Sequence, residues 1–475
     1  MGVIDEIKQL GARLGHERDL LTEKVTDRIA LLADSESNES FAIMRRLDPI
    51  VSAGPITIVT LNEDVTEVLG DPARFTAHLY GPKMEAITGP FILGVDDTPL
   101  YHHDHAAMDR AVTREDLPQL ARSMYDVAHE LVAERRDEGH VDVVAQLADP
   151  ALDRVIADYF GTPGPDAATQ LRWARNVFHE LFINVNNLPT VRERAHDDAA
   201  QWRPHLDGLI DARKAQLQAG EDVPDDVLTR LLRYQDEGEP NFHDIAIRHN
   251  ILGNITGWIP TISNAFARIV EELLHREDEL AAAQEAARAG DRDLVAAYCW
   301  EASRFRPQNF ALLRHVPEDT VVAAGTEREK KVKAGSTVFA ATLSAMHDPE
   351  AIDAPEEFRV DRPASDYMLF GYGLHTCYGQ HIVRAQMPGL ATALLEGPSI
   401  GRARGHDGRL RFKGPFPSGL TCAGRTEPRL AAAVAHVTST LSGRTFCCGI
   451  SMTQSWPRLA CGPRSVSRPV ALGSR

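Results

Sequence analysis

Hydrophobic residues recur every three or four positions through much of the first 310 residues, which is the spacing of one face of an α-helix. The segments LARSMYDVAHELVAERR, WRPHLDGLIDARKAQLQ, NAFARIVEELLHREDELAAAQ and VTDRIALLAD show it most clearly. Strand-like stretches are few and short: GPITIVTLN near residue 55, and TVVAAG and STVFAATL between residues 320 and 343. The pattern predicts a mainly α-helical protein with a minor β region.

The last fifty residues do not follow this pattern. From Thr426 onward the chain holds six Arg, one Glu and no Lys or Asp, together with three of its six cysteines. No clean linker precedes about residue 424. We therefore predict one domain over residues 1–425 and a basic, cysteine-containing tail over residues 426–475 that is disordered or not native to the domain. A basic docking tail, or a metal site at the adjacent cysteines, is the functional alternative.

Charge and composition argue against two classes of partner for this chain of 475 residues. The formal net charge of −17 disfavours nucleic acid and anionic membranes, because both carry phosphates that favour Lys and Arg. No run of about eighteen apolar residues predicts a membrane span, and the charges spread along the N-terminus do not fit a secretory signal. The six cysteines lack the spacing of a disulfide framework. We expect a cytoplasmic protein with reduced thiols.

The strongest chemical signal is the segment FGYGLHTCYGQHIVRAQ at residues 370–386. A cysteine thiolate can act as an axial heme ligand when the backbone amides of a tight loop stabilise its charge. Gly371, Gly373 and Gly379 supply backbone freedom for such a loop around Cys377. The residues after the loop predict a helix, whose N-terminus favours a thiolate. A buried structural cysteine in a glycine-rich turn is the plain alternative.

A second signal lies upstream, at Glu301 and Arg304. At this spacing the two side chains share one face of a helix and can form an ion pair. An ordinary surface pair has the same sequence, so the order of the segments matters. The segment FRP, then Arg314, then DAPEEFRVDRP follow, and the cysteine loop comes next.

In this order the segments resemble the bacterial type of the cytochrome P-450 family, over residues of roughly 40 to 424. The cysteine loop matches the family signature F-x-x-G-x-x-x-C-x-G in full, and Glu301 and Arg304 resemble its E-x-x-R. The resemblance implies the mainly helical, triangular single heme domain of that family. It also implies a heme b whose iron is bound by Cys377, which makes this cysteine the metal ligand and a catalytic residue.

The same resemblance assigns further residues to the heme. His375 and Arg314 match positions that contact the two heme propionates. Phe370, Gly371 and Gly379 belong to the loop that carries the ligand, and Gly379 allows the following helix to approach the porphyrin.

Arg362 would complete a structural cluster that the family keeps buried. In the resemblance it joins Glu301 and Arg304. We expect these three residues to support the fold and to take no part in catalysis.

The third propionate contact of the family is an Arg that follows a segment like D-x-P-x-H. Here the segment reads DDTPLYHHDHAAMDR, and His105 stands where that Arg is expected, with Arg110 the nearest cation after it. We predict a heme contact by His105, with a helix start that carries His on a wet face as the alternative. We prefer that helix start to a metal site formed by the HHDH run at residues 102–105.

The chain departs from the family in its long central helix, which normally carries A/G-G-x-D/E-T across the heme. The acid and alcohol of that motif deliver protons for dioxygen cleavage. Counting back from LLHREDEL, which resembles the family's L-x-x-H-P-E-x-L, places Thr256-Gly257-Trp258-Ile259-Pro260 on the motif. Gly257 is retained and allows close approach to the porphyrin, but Ile259 replaces the acid and Pro260 the alcohol.

Asn254 and Thr261 share the face of Gly257 by helical spacing. We predict that these two residues orient the oxidant, and we count them as catalytic together with the cysteine. A helix-interior amide bonded to backbone or water is the plain alternative for Asn254. Placing Asp at position 259 and Thr at position 260 is expected to favour turnover with dioxygen.

Three functions are therefore open at the level of the sequence. The first is a monooxygenase that acts on an apolar small molecule, with electrons from a separate donor of the ferredoxin or flavodoxin type. The second is a heme-thiolate enzyme that uses a peroxide or rearranges a hydroperoxide, because such chemistry does not need the acid-alcohol pair. The third is a heme binder without catalytic activity.

Overall fold

The computed structural model describes residues 37–238 and 242–424, which form a mainly helical fold with a small β component. The predicted fold class is confirmed. Three of the four segments chosen for their helical spacing fall on α-helices, and each strand-like stretch contains a strand. The fourth segment, VTDRIALLAD, and the tail predicted from residue 426 lie outside the described residues. The division into domains therefore stays a prediction.

Within the described ranges the chain forms fourteen α-helices. They are α1 Ser37–Leu47, α2 Asn62–Gly70, α3 Gly81–Ile87, α4 Pro99–Ala111, α5 Leu117–Glu134, α6 Asp149–Phe160, α7 Ala167–Phe178, α8 Pro189–Gln218, α9 Val227–Asp236, α10 Asp244–His275, α11 Glu277–Ala289, α12 Arg292–Phe305, α13 Thr342–Ala345 and α14 Gln380–Leu395. Two short π-helical segments, Val143–Ala148 and His179–Ile183, directly precede α6 and follow α7.

Eleven short strands in the same ranges form four sheets. They are β1 Ile50–Ala53, β2 Ile56–Val59, β3 His140–Asp142, β4 Leu312–His315, β5 Thr320–Val322, β6 Lys330–Val332, β7 Thr337–Ala340, β8 Ile400–Arg402, β9 Arg411–Lys413, β10 Phe416–Gly419 and β11 Thr421–Gly424. The largest sheet has the order β1-β2-β7-β4, in which β2 and β7 are parallel. The three-stranded sheet has the order β3-β11-β8, and the other two sheets are two-stranded, β5 with β6 and β9 with β10.

Helix α10 lies at the centre of the core. Its 32 residues include buried side chains on every side, as expected for a helix that is apolar all round and surrounded by other elements. Pro260 lies inside the helix and has no N–H to donate to the preceding turn, yet the helix continues to His275. The tight packing on both sides of Pro260 outweighs the loss of that one hydrogen bond.

Helix α14 packs closely against α5, and Gly389 is the reason. A Cβ added to Gly389 would lie 3.0 Å from the carbonyl oxygen of Ala121 on α5. The close approach of these two helices fixes the position of α14, which begins directly after the cysteine loop. None of the helices in the described part of the chain is long and apolar enough to cross a membrane.

Candidate active site

One cavity brings together most of the residues that the sequence singled out. Its walls are formed by α10, by β4, and by the segment that leads into α14. The sequence-predicted residues that line it are Asn254, Gly257, Thr261, Arg314, Phe370, Gly371, His375, Cys377 and Gly379.

The loop before α14 holds Cys377 at this cavity. Its backbone N–H donates to the carbonyl oxygen of Phe370 at 2.8 Å, which closes the loop. Gly373 has a φ of +75°, and a Cβ there would lie 2.5 Å from the carbonyl oxygen of Leu69. Only glycine combines this left-handed backbone with such a close approach. The loop therefore needs glycine at this position to present the cysteine.

The sulfur of Cys377 receives hydrogen bonds from the protein backbone. Burial raises the pKa of the Cys377 thiol, while the backbone N–H groups of Gly379 and Gln380 donate to the sulfur and act in the opposite direction. Gln380 is the first residue of α14, so the sulfur lies at the N-terminus of a helix. Such amides and the helix dipole stabilise a thiolate that is bound to a cation.

Two buried cationic or hydrogen-bonding side chains face the same cavity. The His375 side chain is 6% exposed, and neither of its ring nitrogens has a hydrogen-bond partner. Burial and the nearby charge of Arg314 lower the pKa of His375 to about 4. Arg314 is 4% exposed and donates to the carbonyl oxygen of Leu313. It forms no ion pair with any carboxylate of the described residues.

Unpaired buried polar groups of this kind are rare in native proteins and call for an explanation. Heme brings two propionate carboxylates, which need cationic or hydrogen-bonding partners. His375 and Arg314 offer such partners beside the cysteine loop. The side chains present at the cavity thus fit the group that the sequence implies.

His105 does not line the cavity, which differs from the sequence prediction. Its Nδ1 lies 3.0 Å from the carboxylate of Asp109 one turn later, and its side chain is 35% exposed. Its ring packs edge-on against Tyr378. Tyr378 itself lines the cavity, so His105 lies one side chain behind the wall, and its heme contact stays a prediction.

Tyr101, which sequence analysis missed, occupies the inner side of α4. Its hydroxyl donates to the carbonyl oxygen of Leu374 at 2.7 Å, and its ring meets His375 edge-on. The side chain is 7% exposed. A tyrosine after Pro-Leu gives no signal in one sequence, because only the fold shows which turn of α4 faces the cysteine loop.

The wall formed by α10 corrects the predicted positions of two residues. Asn254, Gly257 and Thr261 line the cavity, whereas Ile259 and Pro260 do not and are buried. Residues 254, 257 and 261 follow one face of the helix, and Ile259 points to another side by the 3.6-residue period. The register along the sequence placed Ile259 and Pro260 over the heme, whereas the structure places neither residue at the cavity.

The polar groups on this wall are held by the helix itself. The Asn254 amide donates to the carbonyl oxygen of Asn250 at 2.8 Å, and the Thr261 hydroxyl donates to that of Gly257 at 2.5 Å. Apart from the two chain neighbours and the backbone of its own helix, no protein atom lies within 4 Å of where a Cβ on Gly257 would be. The glycine therefore leaves open space at the centre of the wall.

Trp258 is a second residue that sequence analysis did not single out. It lines the cavity, and its indole N–H donates to the side-chain oxygen of Gln386 on α14 at 3.0 Å. This bond links the two helices on either side of the cavity. The remaining wall is mainly apolar and aromatic, and includes Phe91, Phe178 and Phe182.

Glu301, Arg304 and Arg362 form a buried ion cluster outside the cavity. The Glu301 carboxylate lies 2.7 Å from Nη2 of Arg304 and 3.0 Å from Nε of Arg362. Both guanidinium groups also donate to backbone carbonyl oxygens between residues 346 and 357. The cluster fastens α12 to the chain segment that precedes the cysteine loop.

The HHDH run at residues 102–105 does not form a metal site. Its side chains have different partners, as His102 pairs with Asp97 while His103 pairs with Asp104. Among residues 37–238 and 242–424 there is no group of three or more His, Cys, Asp or Glu side chains placed to hold a metal ion.

Known proteins resemble this chain in sequence and in fold. Cyclomarin C epoxidase CymV of Salinispora arenicola is 28% identical over 330 residues, which cover 68% of this chain and 78% of that protein. Mycinamicin IV hydroxylase/epoxidase of Micromonospora griseorubida is 25% identical over 354 residues, covering 71% of this chain and 81% of that protein. The crystal structure of CalO2 matches 83% of this chain and 98% of its own with a TM-score of 0.70 at 22% identity, a likeness of fold alone.

The family match covers both walls of the cavity and most of the helical core. The family model described as cytochrome P-450 spans residues 55–397, well over half of the chain. The cysteine loop at residues 370–379 and the cavity above it lie within that span. The chain belongs to the cytochrome P-450 family and is an oxidoreductase.

Proposed function

We propose that the protein is a heme-thiolate monooxygenase that binds heme b through Cys377. The observation that carries the proposal is the position of this sulfur, which faces the cavity and accepts hydrogen bonds from the N–H groups of Gly379 and Gln380. A thiolate that serves as an axial ligand needs such donors around it. Bound heme supplies dioxygen activation, and a thiolate ligand favours cleavage of the O–O bond.

Further residues of the chain hold the heme in this proposal. His375 and Arg314 bind the propionates. Both are buried, neither ring nitrogen of His375 has a hydrogen-bond partner, and Arg314 forms no ion pair with a carboxylate of the described residues. Phe370, Gly371 and Gly379 of the cysteine loop line the cavity beside the heme, and Gly257 leaves room for the porphyrin on the side of α10. His105 does not line the cavity, and its contact with the heme stays a prediction from the sequence.

The substrate is an apolar small molecule. Phe91, Phe178 and Phe182 give the cavity an aromatic wall, which favours ligands that bury apolar surface. Asn254 and Thr261 add a few polar groups, and their position on α10 supports the proposal that they orient the oxidant or the substrate. The names of the two relatives, an epoxidase and a hydroxylase/epoxidase, favour oxygen insertion into a C–H bond or a C=C bond.

Electrons come from a separate donor of the ferredoxin or flavodoxin type. The family match supports this proposal, because heme supplies the dioxygen chemistry and the two electrons of the reaction have to come from a reductant. The peroxide-dependent reading is a less favoured alternative, because the relatives are named as epoxidase and hydroxylase and give it no specific support.

The test is turnover by the purified, heme-loaded protein with a panel of apolar compounds. Each compound is first screened for a substrate-induced spin-state shift. Those that bind are then incubated with a ferredoxin, its reductase and reduced nicotinamide, or with hydrogen peroxide alone. Oxygenated product with the redox chain supports the proposal, whereas product with peroxide alone supports the peroxide-using alternative. Bound heme without product in either reaction would contradict both.

A further inference from the structure

The cavity side of α10 lacks an acid, although the proposed reaction consumes protons. Oxygen insertion converts a C–H bond, dioxygen, two electrons and two protons into an alcohol and water. The donor protein supplies the electrons, and the protons come from solvent. Ile259 and Pro260 offer neither an acid nor a hydroxyl, and both face the core. A route for protons has to be sought among other side chains.

A buried carboxylate lies next to α10 on the neighbouring helix α4. Asp104 is 5% exposed. One oxygen lies 2.9 Å from Nδ1 of His103, and the other accepts a hydrogen bond of 3.1 Å from the amide of Asn250 on α10. Asp104 forms no ion pair with a Lys or Arg of the described residues. The hydrogen-bond partners of this carboxylate among the described residues are thus one imidazole and one amide.

The orientation of the Asn250 amide is fixed by its partners. Its nitrogen donates both to Asp104 and to the carbonyl oxygen of Ala246 at 3.0 Å. Both partners are acceptors, so the nitrogen cannot exchange places with the oxygen. The side-chain oxygen therefore points elsewhere, and it is buried without a partner. Buried water molecules commonly donate to polar groups that have no partner in the protein.

Asn250 continues the polar stripe of the cavity wall by one turn. Residues 250, 254, 257 and 261 follow one face of α10 at spacings of four and three residues. The Asn254 amide donates to the backbone oxygen of Asn250, and Asn254 lines the cavity. At the other end, the His103 side chain is 26% exposed and links Asp104 to the surface of α4.

We propose that Asp104 supplies protons to the cavity through a water bound to Asn250, and so replaces the acid that α10 lacks. The proposal rests on the proposed monooxygenase function. A proton moves from solvent to His103 and then to Asp104, and each proton that Asp104 releases passes through the water beside Asn250 and Asn254 into the cavity. Asp104 touches neither heme nor substrate, so it acts as a relay and positioning residue.

The competing explanation is a structural one, in which Asp104 and Asn250 only fasten α4 to α10. Asp104→Asn keeps the shape and the hydrogen bond to Asn250 but removes the titratable proton, and Asp104→Glu restores it. Asp97→Asn is the matched control. It removes the pair of Asp97 with His102, in which both side chains are more than half exposed and which does not reach α10.

The experiment uses heme-loaded protein and measures product per reductant, peroxide-driven turnover, the solvent isotope effect and the spin-state shift on substrate binding. Asp104→Asn should slow reductase-driven product formation about 10²-fold, the low end of what a placed proton donor contributes, and should raise the isotope effect. Peroxide-driven turnover and the spin-state shift should stay as in the unmodified protein. Asp104→Glu should recover activity, and Asp97→Asn should change nothing.

A second readout does not depend on activity. A crystal structure of the heme-loaded protein should show an ordered water within hydrogen-bond distance of the Asn250 side-chain oxygen. The absence of that water, or equal product per reductant in Asp104→Asn and Asp97→Asn, would overturn the relay. Equal loss of both peroxide-driven and reductase-driven turnover would assign Asp104 a structural role only. If the unmodified protein gave no reductase-driven product, the proposed function would fail and the relay with it.

Discussion

Glu301 is a fully buried carboxylate that the fold surrounds with donors. Burial alone would raise the pKa of Glu301, but hydrogen bonds from Arg304, the backbone of Arg359 and Arg362 outweigh it and hold the pKa below its ordinary value. The charged Glu301 carboxylate therefore stabilises the fold fully at any pH above its unfolded pKa. This stabilisation is lost as the pH falls from there through the lower, folded pKa. Hydrogen bonds from several neighbours stabilise the buried carboxylate, so replacing any member of the cluster should destabilise the fold.

Glu301→Ala should leave the buried Arg304 guanidinium without its counter-charge, and Arg362 with only the longer pair to Asp366 at 3.7 Å. Removing one partner of a buried ion pair costs about 3–5 kcal/mol, so we expect much less folded, heme-loaded protein. Urea unfolding and heme content measure this. Asp319→Ala is the control, because its pair with Lys333 is exposed, with side-chain exposures of 62% and 77%. Stable, fully heme-loaded Glu301→Ala protein with only a rate defect would contradict the structural role.

The lowered pKa of the buried His347 imidazole predicts that the free energy of unfolding depends on pH. Burial, and then the charge of Arg304, lower the pKa of His347 from 6.5 to about 3. Between these values the unfolded chain binds a proton that the folded chain does not, so stability falls as the pH drops below 6.5. By pH 5 this amounts to about 2 kcal/mol.

His347→Gln should therefore flatten the free energy of unfolding between pH 7 and pH 5. The comparison is a series of urea unfolding curves, with His406→Gln, whose side chain is 80% exposed, as the matched control. Curves for His347→Gln that run parallel to those of the unmodified protein would show that the buried imidazole is not responsible.

For helix α10 the sequence pattern predicts the helix itself but not the direction in which each of its side chains points. Its existence, its length and its central place follow from apolar residues on all sides. The direction of each side chain does not, because a proline inside the helix and packing on every face leave several orientations equivalent in the sequence. Gly257 was predicted at the wall from a motif, whereas Trp258 was found only from its hydrogen bond to Gln386.

The position of Ile259 in the core changes the expected effect of restoring an acid there. Ile259 is fully buried, so Ile259→Asp places an unpaired carboxylate among apolar side chains. We expect a loss of about 3–5 kcal/mol in unfolding free energy and no gain in turnover with dioxygen, even together with Pro260→Thr. Ile259→Val is the control and should cost about 1 kcal/mol. A stable Ile259→Asp protein with faster reductase-driven turnover would show that residue 259 faces the cavity after all.

At the scale of the whole molecule, the order of the motifs along the chain predicted the family, but the sequence did not predict the detailed contacts around the site. Glu301, Arg304 and the cysteine loop identified the family because their order along the chain is rarely met by chance. The pairing of His105 with Asp109, and the inward position of Tyr101, depend on how α4 rotates against the loop. A single sequence does not predict that rotation, so these contacts were found only in the structure.

The role of the tail from Thr426 is tested by deleting it, because the tail lies outside the described residues. We predict that a chain ending at Arg425 keeps its heme and its activity, because the family match ends at residue 397 and the charge pattern changes after Arg425. Heme content and substrate-induced spectral shifts of the shortened and full chains provide the comparison. Loss of heme on shortening would show that the tail supports the domain.

The central claim is that Cys377 binds the heme iron as a thiolate, and the absorption spectrum of the reduced protein with carbon monoxide tests it most directly. Thiolate ligation moves the Soret band of this complex to longer wavelength, and an imidazole in its place does not. The unmodified protein should show the shifted band, and Cys377→His should lose it while the exposed-residue variant Asp319→Ala keeps it. A shifted band that survives in Cys377→His would contradict the account.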